Sequence, residues 1–440
     1  MMRLDEGTKI KLTDGREAVV DELLGSGGQG DVYRVLLSGN KYALKWYADS
    51  HINSELRRSL ELKVEVGSPS AKLLWPICLT EEMHGSYGYV MELRPAGYED
   101  LTRFLLAKTS FASHMTQVNA ALGIVNSFDA LHEEGFFFQN IVDSEFFING
   151  KTGDVRIACS EDVALDNSCS RPAFKARYMA PEVTARVSNP DMDSDLFSLA
   201  VVLFMVLFFD HPLEGERCIS IPCLTTENEI NLYGENPIFI YDRDDSSNRP
   251  VEGVHANAIR FWKEFPEFLK ESFQKAFSRE AMNVKDLDEA RRSRLTCEDW
   301  RRILVNLRSC IIRCPYCGEE MFFDYAKGAT CPNCKKAIEK TRILSFSDDG
   351  KYKVPIFPGA KIYKCMIDDS SNDTETVAGC ISVNPYDSKI WGIKNECYDE
   401  ADEPWSITLK DKVVVPGRSY PLGDVEKIRF GGKSFARVID

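Results

Sequence analysis

The chain has 440 residues, a formal net charge of −14, 44% hydrophobic and 28% charged residues. That length predicts two or three globular domains. The negative charge argues against non-specific nucleic-acid binding and against docking on an anionic membrane, both of which need a basic surface. The N-terminus, MMRLDEGTKI, has no apolar signal region. The longest apolar stretch, 196–209, is too short for a bilayer and predicts a buried core helix. Four of the fourteen cysteines lie in two CxxC pairs and the rest are scattered, which predicts reduced thiols and a cytoplasmic location.

In chain order, residues 18–49 read as strand, glycine turn, strand, strand. The turn carries Gly25, Gly27, Gly28 and Gly30, followed by Val32. Glycines let backbone N–H groups approach phosphate oxygens unobstructed. Lys45, in Ala-Leu-Lys, comes thirteen residues after Val32. Residues 52–66 form a charged amphipathic helix that carries Glu55 and Glu61. Met91, Glu92 and Leu93 then read as a strand running into a hinge at the back of a nucleotide pocket. Further on, Thr296-Cys-Glu-Asp299 before Trp300 is a helix-start signature, opening a helix to about Cys310.

These segments resemble a protein kinase, which implies that Lys45 holds the α- and β-phosphates of a nucleotide and that Glu55 or Glu61 pairs with it. Tyr178-Met-Ala-Pro-Glu182 is similar to the end of a kinase activation segment, and Asp195-Leu-Phe-Ser-Leu-Ala200 to the start of its central hydrophobic helix. More narrowly, GSGGQGDVY, GSPSAKLLWP, YGYVMELRP, TGDVRI, ARYMAPE, SDLFSLAVVLF, HPLEGER and YGENPIFIYDRDDSSNRP resemble a bacterial kinase-like group. That resemblance implies a zinc ribbon after the kinase part. It also implies protein partners: a kinase, a metal-dependent phosphatase or a von Willebrand A-type protein.

The residues expected to carry chemistry depart from the kinase pattern. Where H-R-D stands the chain has Phe138-Gln139-Asn140; five residues on, the metal-binding Asn is Glu145; the D-F-G position is Cys159-Ser160-Glu161. An amide cannot act as a base, and a thiol is a poor magnesium ligand. No catalytic site is intact at Asn140, Glu145 and Cys159, so the resemblance implies a pseudokinase. The alternative is a divergent Ser/Thr kinase using nearby carboxylates (Asp143, Glu145, Glu161 or Asp162). A second alternative is an adaptor with an empty pocket.

Cys314 and Cys317, then Cys331 and Cys334, form two CxxC pairs with thirteen residues between them. Two such turns complete a thiolate tetrahedron, so a structural zinc is expected. Short apolar segments at 362–366, 380–383, 390–393, 412–415 and 427–430 predict a small β-sandwich. Its last strands resemble forkhead-associated domains, although Pro358-Gly-Ala-Lys361 stands where the phosphothreonine-reading glycine-arginine would be.

The expected architecture is α+β: a bilobal kinase-like domain at 1–310 (small lobe about 1–92, large lobe about 95–310), a zinc ribbon at 311–341, and a β-sandwich at 342–440. The expected role is that of a nucleotide-binding regulatory scaffold, with ATP or another nucleotide and structural zinc. The need for magnesium is left open.

Overall fold

The computed structural model describes residues 3–48, 50–158, 163–165, 175–368, 370–398, 404–408, 412–430 and 434–440. The chain forms two compact units. One is Met1–Phe111, Gly123–Arg249 and Ala276–Cys297; the other is Ala112–Leu122, Pro250–Lys275 and Glu298–Asp440.

The first unit opens on β1 (Lys9–Lys11), β2 (Glu17–Gly27), β3 (Gly30–Leu37), β4 (Asn40–Tyr47), α1 (Ser54–Val66), β5 (Leu73–Leu74), β6 (Cys78–Leu79) and β7 (Gly88–Glu92). Six of these strands make an antiparallel sheet in the order β1-β2-β3-β4-β7-β6. Period-two alternation divides β4 between two cores. Leu44 and Trp46 face one with Tyr33, Val35 and Val90; Ala43 and Tyr47 face the other with Leu60, Tyr89 and Met91. Asn53 caps α1 through its side chain, and Leu56, Leu60 and Val64 lay the helix onto the second core.

After β8 (Glu99–Asp100), α2 (Leu101–Leu105) and α3 (His114–Glu133) come β9 (Phe136–Phe138), β10 (Phe146–Ile148), β11 (Val155–Ala158) and β12 (Val163–Leu165). β9 pairs with β12, and β10 with β11 and β8. The expected core helix is α5, Met192–Phe208, preceded by α4 (Pro181–Thr184). Asp191 and Ser194 cap α5 reciprocally, and every residue from Phe197 to Phe208 is buried. Among the described residues no helix is long and apolar enough to cross a membrane.

In the second unit a helix runs Cys297–Ser309, starting where the sequence signature places it. Two hairpins follow: Ile311–Arg313 with Glu320–Phe322, and Ala329–Thr330 with Ala337–Ile338. The C-terminal part is two antiparallel sheets of six and four strands. Trp405 of the six-stranded sheet is fully buried. Its ring lies 2.4 Å from where a Cβ on Gly379 of the four-stranded sheet would stand, so glycine is required there for the sheets to meet. The strand expected at 362–366 is only Lys361–Tyr363, because Lys364–Ile367 turns into one helical turn with Cys365, Met366 and Ile367 buried. Three consecutive buried residues do not fit the alternation of a half-exposed strand.

Candidate functional site: a glycine-lined cleft and a four-cysteine cluster

Gly25, Gly27 and Gly28 sit at the turn end of the β2–β3 hairpin. A Cβ on Gly25 or Gly28 would meet nothing within 4 Å, and on Gly27 only the Gly30 carbonyl at 3.8 Å. None of the three takes a positive φ. Gly30 differs: its φ is +154°, and a Cβ would stand 2.1 Å from the Trp46 carbonyl oxygen. The fold therefore requires glycine at 30 and not at the other three positions. Val32 pairs with Lys45 across β3 and β4, and Ala43 with Met91 across β4 and β7. Lys45 is half-buried on the Ala43–Tyr47 face, its Nζ 5.9 Å from the Tyr47 ring centroid. Met91 is buried, Glu92 exposed and Leu93 half-buried.

The helix does not supply the expected glutamate. Glu55 and Glu61 are both exposed, and neither pairs with Lys45; Glu61 bonds Arg57 Nε at 3.1 Å along the helix surface. The 3.6-residue period puts Leu56, Leu60, Lys63 and Val64 on the inner face. Its buried charged residue is thus Lys63, whose carbonyl accepts the Trp75 indole N–H at 2.8 Å.

Two residues of the cleft were missed from sequence. Phe147 of β10 packs against the core that holds Val32, Ala43, Met91 and Leu93. The Arg94 guanidinium lies 4.5 Å over its ring. The available signal was the position of Phe147 two residues after Glu145, in the strand that follows the Asp143–Glu145 turn.

β9 ends in buried Phe138, then buried Gln139 and half-buried Asn140. Asp195 of α5 accepts from the Phe138 backbone N–H at 2.8 Å and lies 3.1 Å from His132 Nε2. Burial raises the Asp195 carboxyl to about 6, against the lowering contacts of His132 and the Phe138 N–H. Glu145 closes the 3₁₀ turn Asp143–Glu145 and is half-buried. Burial raises the Tyr178 phenol, Arg177 partly opposes the shift and the negative charge of Asp143 adds to it. Cys159 lies outside the described residues, as do Ser160, Glu161 and Asp162. Glu182 and Arg294 form a buried bidentate pair at 2.8 and 2.7 Å that ties the Ala-Pro-Glu segment into the lobe.

The four cysteines of the two CxxC pairs are brought together. Their sulfurs all lie within 4.8 Å of one another; Cys314–Cys334 are 3.7 Å apart and Cys317–Cys331 3.6 Å. A tetrahedron with metal–sulfur bonds of about 2.3 Å has edges of about 3.8 Å, so the set fits a metal ion and not disulfides. Both knuckles share one backbone design. The N–H four residues on bonds back to the first cysteine carbonyl, Gly318 to Cys314 at 2.9 Å and Lys335 to Cys331 at 3.0 Å. Both residues are left-handed, at φ +77° and +61°.

A family model described as a protein kinase domain matches residues 18–279. The L-type lectin-domain containing receptor kinase IV.1 of Arabidopsis thaliana is 25% identical over 225 residues, covering 49% of this chain and 33% of that protein. A probable LIM domain-containing serine/threonine-protein kinase of Dictyostelium discoideum is 24% identical over 226 residues, covering 48% and 33%. The chain thus spans about a third of the length of these curated relatives. Among solved structures, the kinase domain of Mycobacterium tuberculosis PknI matches at TM-score 0.45 and 15% identity, over 69% of this chain and 98% of that one. With the family model covering residues 18–279, more than half of its length, the chain belongs to the protein kinase domain family.

Proposed function

We propose that this chain is a pseudokinase, a regulatory protein that binds a nucleotide and a protein partner and does not transfer phosphate. Asn140 carries the reading: it follows β9, the strand end that Asp195 anchors, and its amide cannot take the proton of an attacking hydroxyl. A positioned base contributes about 10²–10⁴-fold to rate. The inner face of α1 adds support, since it carries Lys63 and neither Glu55 nor Glu61. Retained nucleotide binding is supported by Gly25, Gly27 and Gly28, which neither packing nor φ demands. Glycine in a strand costs about 0.5–1 kcal/mol relative to Ala, and phosphate approach is a use that offsets it.

The test is labelled-phosphate incorporation with ATP and magnesium, comparing wild type with Lys45→Ala. No difference is expected. Magnesium-dependent labelling present only in wild type would establish the divergent Ser/Thr kinase instead, with Glu145 as its metal ligand.

A second reading, an adaptor with a filled cleft, is favoured by Phe147 packed against the Val32–Met91 core beneath Arg94. A melting scan with ATP, with and without magnesium, separates the two. A shift absent in Lys45→Ala supports the nucleotide-binding reading; no shift in either condition supports the adaptor.

The finer assignments belong to the same proposal. Residues 1–310 are the kinase-like domain, 311–341 a zinc ribbon held by Cys314, Cys317, Cys331 and Cys334, and 342–440 a sandwich of forkhead-associated type. Zinc at this site would cross-link the two hairpins as a structural ion, since four protein ligands leave no open position. The partner is a kinase, a metal-dependent phosphatase or a von Willebrand A-type protein, and the setting is a reducing cytoplasm.

A further inference from the structure

A cavity of about 260 Å³ lies within the first unit, bounded by the C-terminal end of α1, the β5–β6 connection and the end of β7. That volume is smaller than sites for whole small molecules and suits a single long side chain. Its lining is mostly apolar and runs from buried Leu73 and Pro76, through half-buried Val64, to exposed Ala71 and Ile77. Ile77 is 39% exposed, so apolar surface is open to an incoming group.

The polar groups at this cavity are acceptors. Glu92 is its one charged lining residue; it is exposed and makes no ion pair among the described residues. The Ser68 hydroxyl donates to the Ser70 carbonyl at 2.8 Å and is thereby occupied. At the helix end the Gly67 N–H turns back to the Lys63 carbonyl at 3.0 Å, and that carbonyl also takes the Trp75 indole N–H at 2.8 Å. The carbonyls of Val64, Glu65 and Val66 receive no backbone donor among the described residues. They form the negative end of α1. The lysines nearest in sequence do not compensate: Lys63 is buried, and Lys72 is held by Asp154 at 2.9 Å.

An acid and vacant carbonyls beside an apolar lining call for a cation on an apolar stem. Arginine has that form, since its stem packs on apolar surface while its planar head offers five N–H donors to several acceptors at once. The formal net charge of −14 favours approach by a basic partner. We propose that this cavity docks one arginine side chain of a basic protein partner, with the stem against Val64, Ala71 and Ile77 and the guanidinium toward Glu92 and the α1 carbonyls. No bond forms or breaks. The inference rests on the scaffold reading only for the existence of a partner.

The test is ligand-observed NMR titration of the full chain without nucleotide. The probes are acetyl-Gly-Arg-Gly-amide, its citrulline counterpart as the neutral isostere, its lysine counterpart, and n-butylguanidinium as the free head and stem. The arginine peptide should bind about fivefold more tightly than the citrulline peptide, as expected for an exposed carboxylate partner. It should also exceed the lysine peptide, and n-butylguanidinium should bind no more tightly. Glu92→Gln should erase the preference for arginine over citrulline, and Ala71→Phe, which fills the cavity, should weaken both peptides by at least about tenfold. Both residues are exposed, so each variant should melt with the wild type, and either alone suffices as a test. No binding of the arginine peptide, equal binding of the citrulline or lysine peptide, tighter binding of n-butylguanidinium, or arginine binding indifferent to both variants would overturn the proposal. Because no nucleotide or phosphate transfer enters the titration, its failure leaves the pseudokinase reading to its own labelling test.

Discussion

Asn248 shows how much of a recognisable motif is scaffold. Its Oδ1 accepts from the backbone N–H groups of Gly215 at 3.1 Å and Arg217 at 3.2 Å, and its Nδ2 donates to the carbonyls of Leu213 at 2.9 Å and Ile238 at 2.6 Å. The side chain thus clips HPLEGER to the segment ending in SSNRP. Gly215 is glycine because a Cβ there would stand 1.9 Å from the Asn248 carbonyl oxygen. Asn248→Ala leaves four backbone groups without their partner in a site where Asn248 is 1% exposed. The expected loss is about 3 kcal/mol in urea unfolding; a loss under about 1 kcal/mol would mean that water replaces the amide. The loop glycines offer a paired contrast. Gly30→Ala must displace the Trp46 carbonyl and should cost several kcal/mol, on the order of a severe overpacking substitution. Gly25→Ala meets open space and should leave stability unchanged or raise it by about 0.5 kcal/mol. It should also reduce any ATP-induced melting shift. An ATP shift that survives Gly25→Ala undiminished would remove the glycine turn from the binding site.

At the scale of elements, the segment after α5 holds a histidine whose protonation state is set by geometry. His211 is 2% exposed; its Nε2 lies 2.7 Å from the Arg177 carbonyl, and its Nδ1 accepts the Leu213 N–H at 3.1 Å. A carbonyl can only accept, so Nε2 carries the proton and Nδ1 does not. Burial pushes the imidazole down to about 4, with Glu214 partly opposing and Arg177 adding to the shift. The sign follows from linkage. Between pH 6.5 and 4 the unfolded chain takes up a proton that the folded one refuses, so stability falls as pH falls. His211→Gln keeps a donor and an acceptor and removes this titration. The wild-type advantage over the variant should shrink by about 2 kcal/mol between pH 7 and pH 5, read from urea midpoints. Asp195 titrates with the opposite sign over about 3.8–6, losing stability as pH rises, but it is common to both proteins and cancels in the difference. A pH-independent difference would mean that His211 takes up its proton as readily in the folded chain as in the unfolded one. Elements of this kind were legible in the sequence where one signal dominates. The fourteen-residue apolar run at 196–209 gave α5 to within a few residues, and the Thr296–Asp299 signature gave the helix from Cys297. The rotation of α1 was not legible, because Glu55, Glu61 and Lys63 lie on one charged helix and only packing decides which turns inward.

At the scale of the whole molecule, the compact units cross the boundaries drawn from sequence. Residues 112–122 and 250–275 lie far in sequence from the ribbon yet belong to the same unit. The contacts responsible are non-local. The His114 N–H reaches Glu320, 206 residues away, and the Glu267 N–H reaches Asp324. No periodicity within a short window encodes such pairings. The four-cysteine cluster was legible because the ligand chemistry is written in the spacing itself. Its physical demand is also plain. The hairpins have short strands and a core of few residues, chiefly Ile312, Met321, Phe323, Ile338 and Phe357 beside Cys314 and Cys331. A metal ion held there would be the main source of order, as in small structural sites where binding free energy is folding free energy, about 10–16 kcal/mol for zinc in isolated peptides. Protein purified without added metal should carry one zinc per chain by elemental analysis. Displacing the thiolates with a mercurial in the presence of a chelator should release it and lower the melting temperature. Cys331→Ser, which replaces a buried ligand, should do the same without reagent. Lys335→Gly should act oppositely, stabilising the loaded ribbon by up to about 1 kcal/mol, because glycine takes the left-handed conformation at 335 without Cβ strain. If the folded chain instead holds no metal, and all four thiols titrate freely with no change in melting, the cluster is four neighbouring thiols and the hairpins are held by their apolar contacts alone.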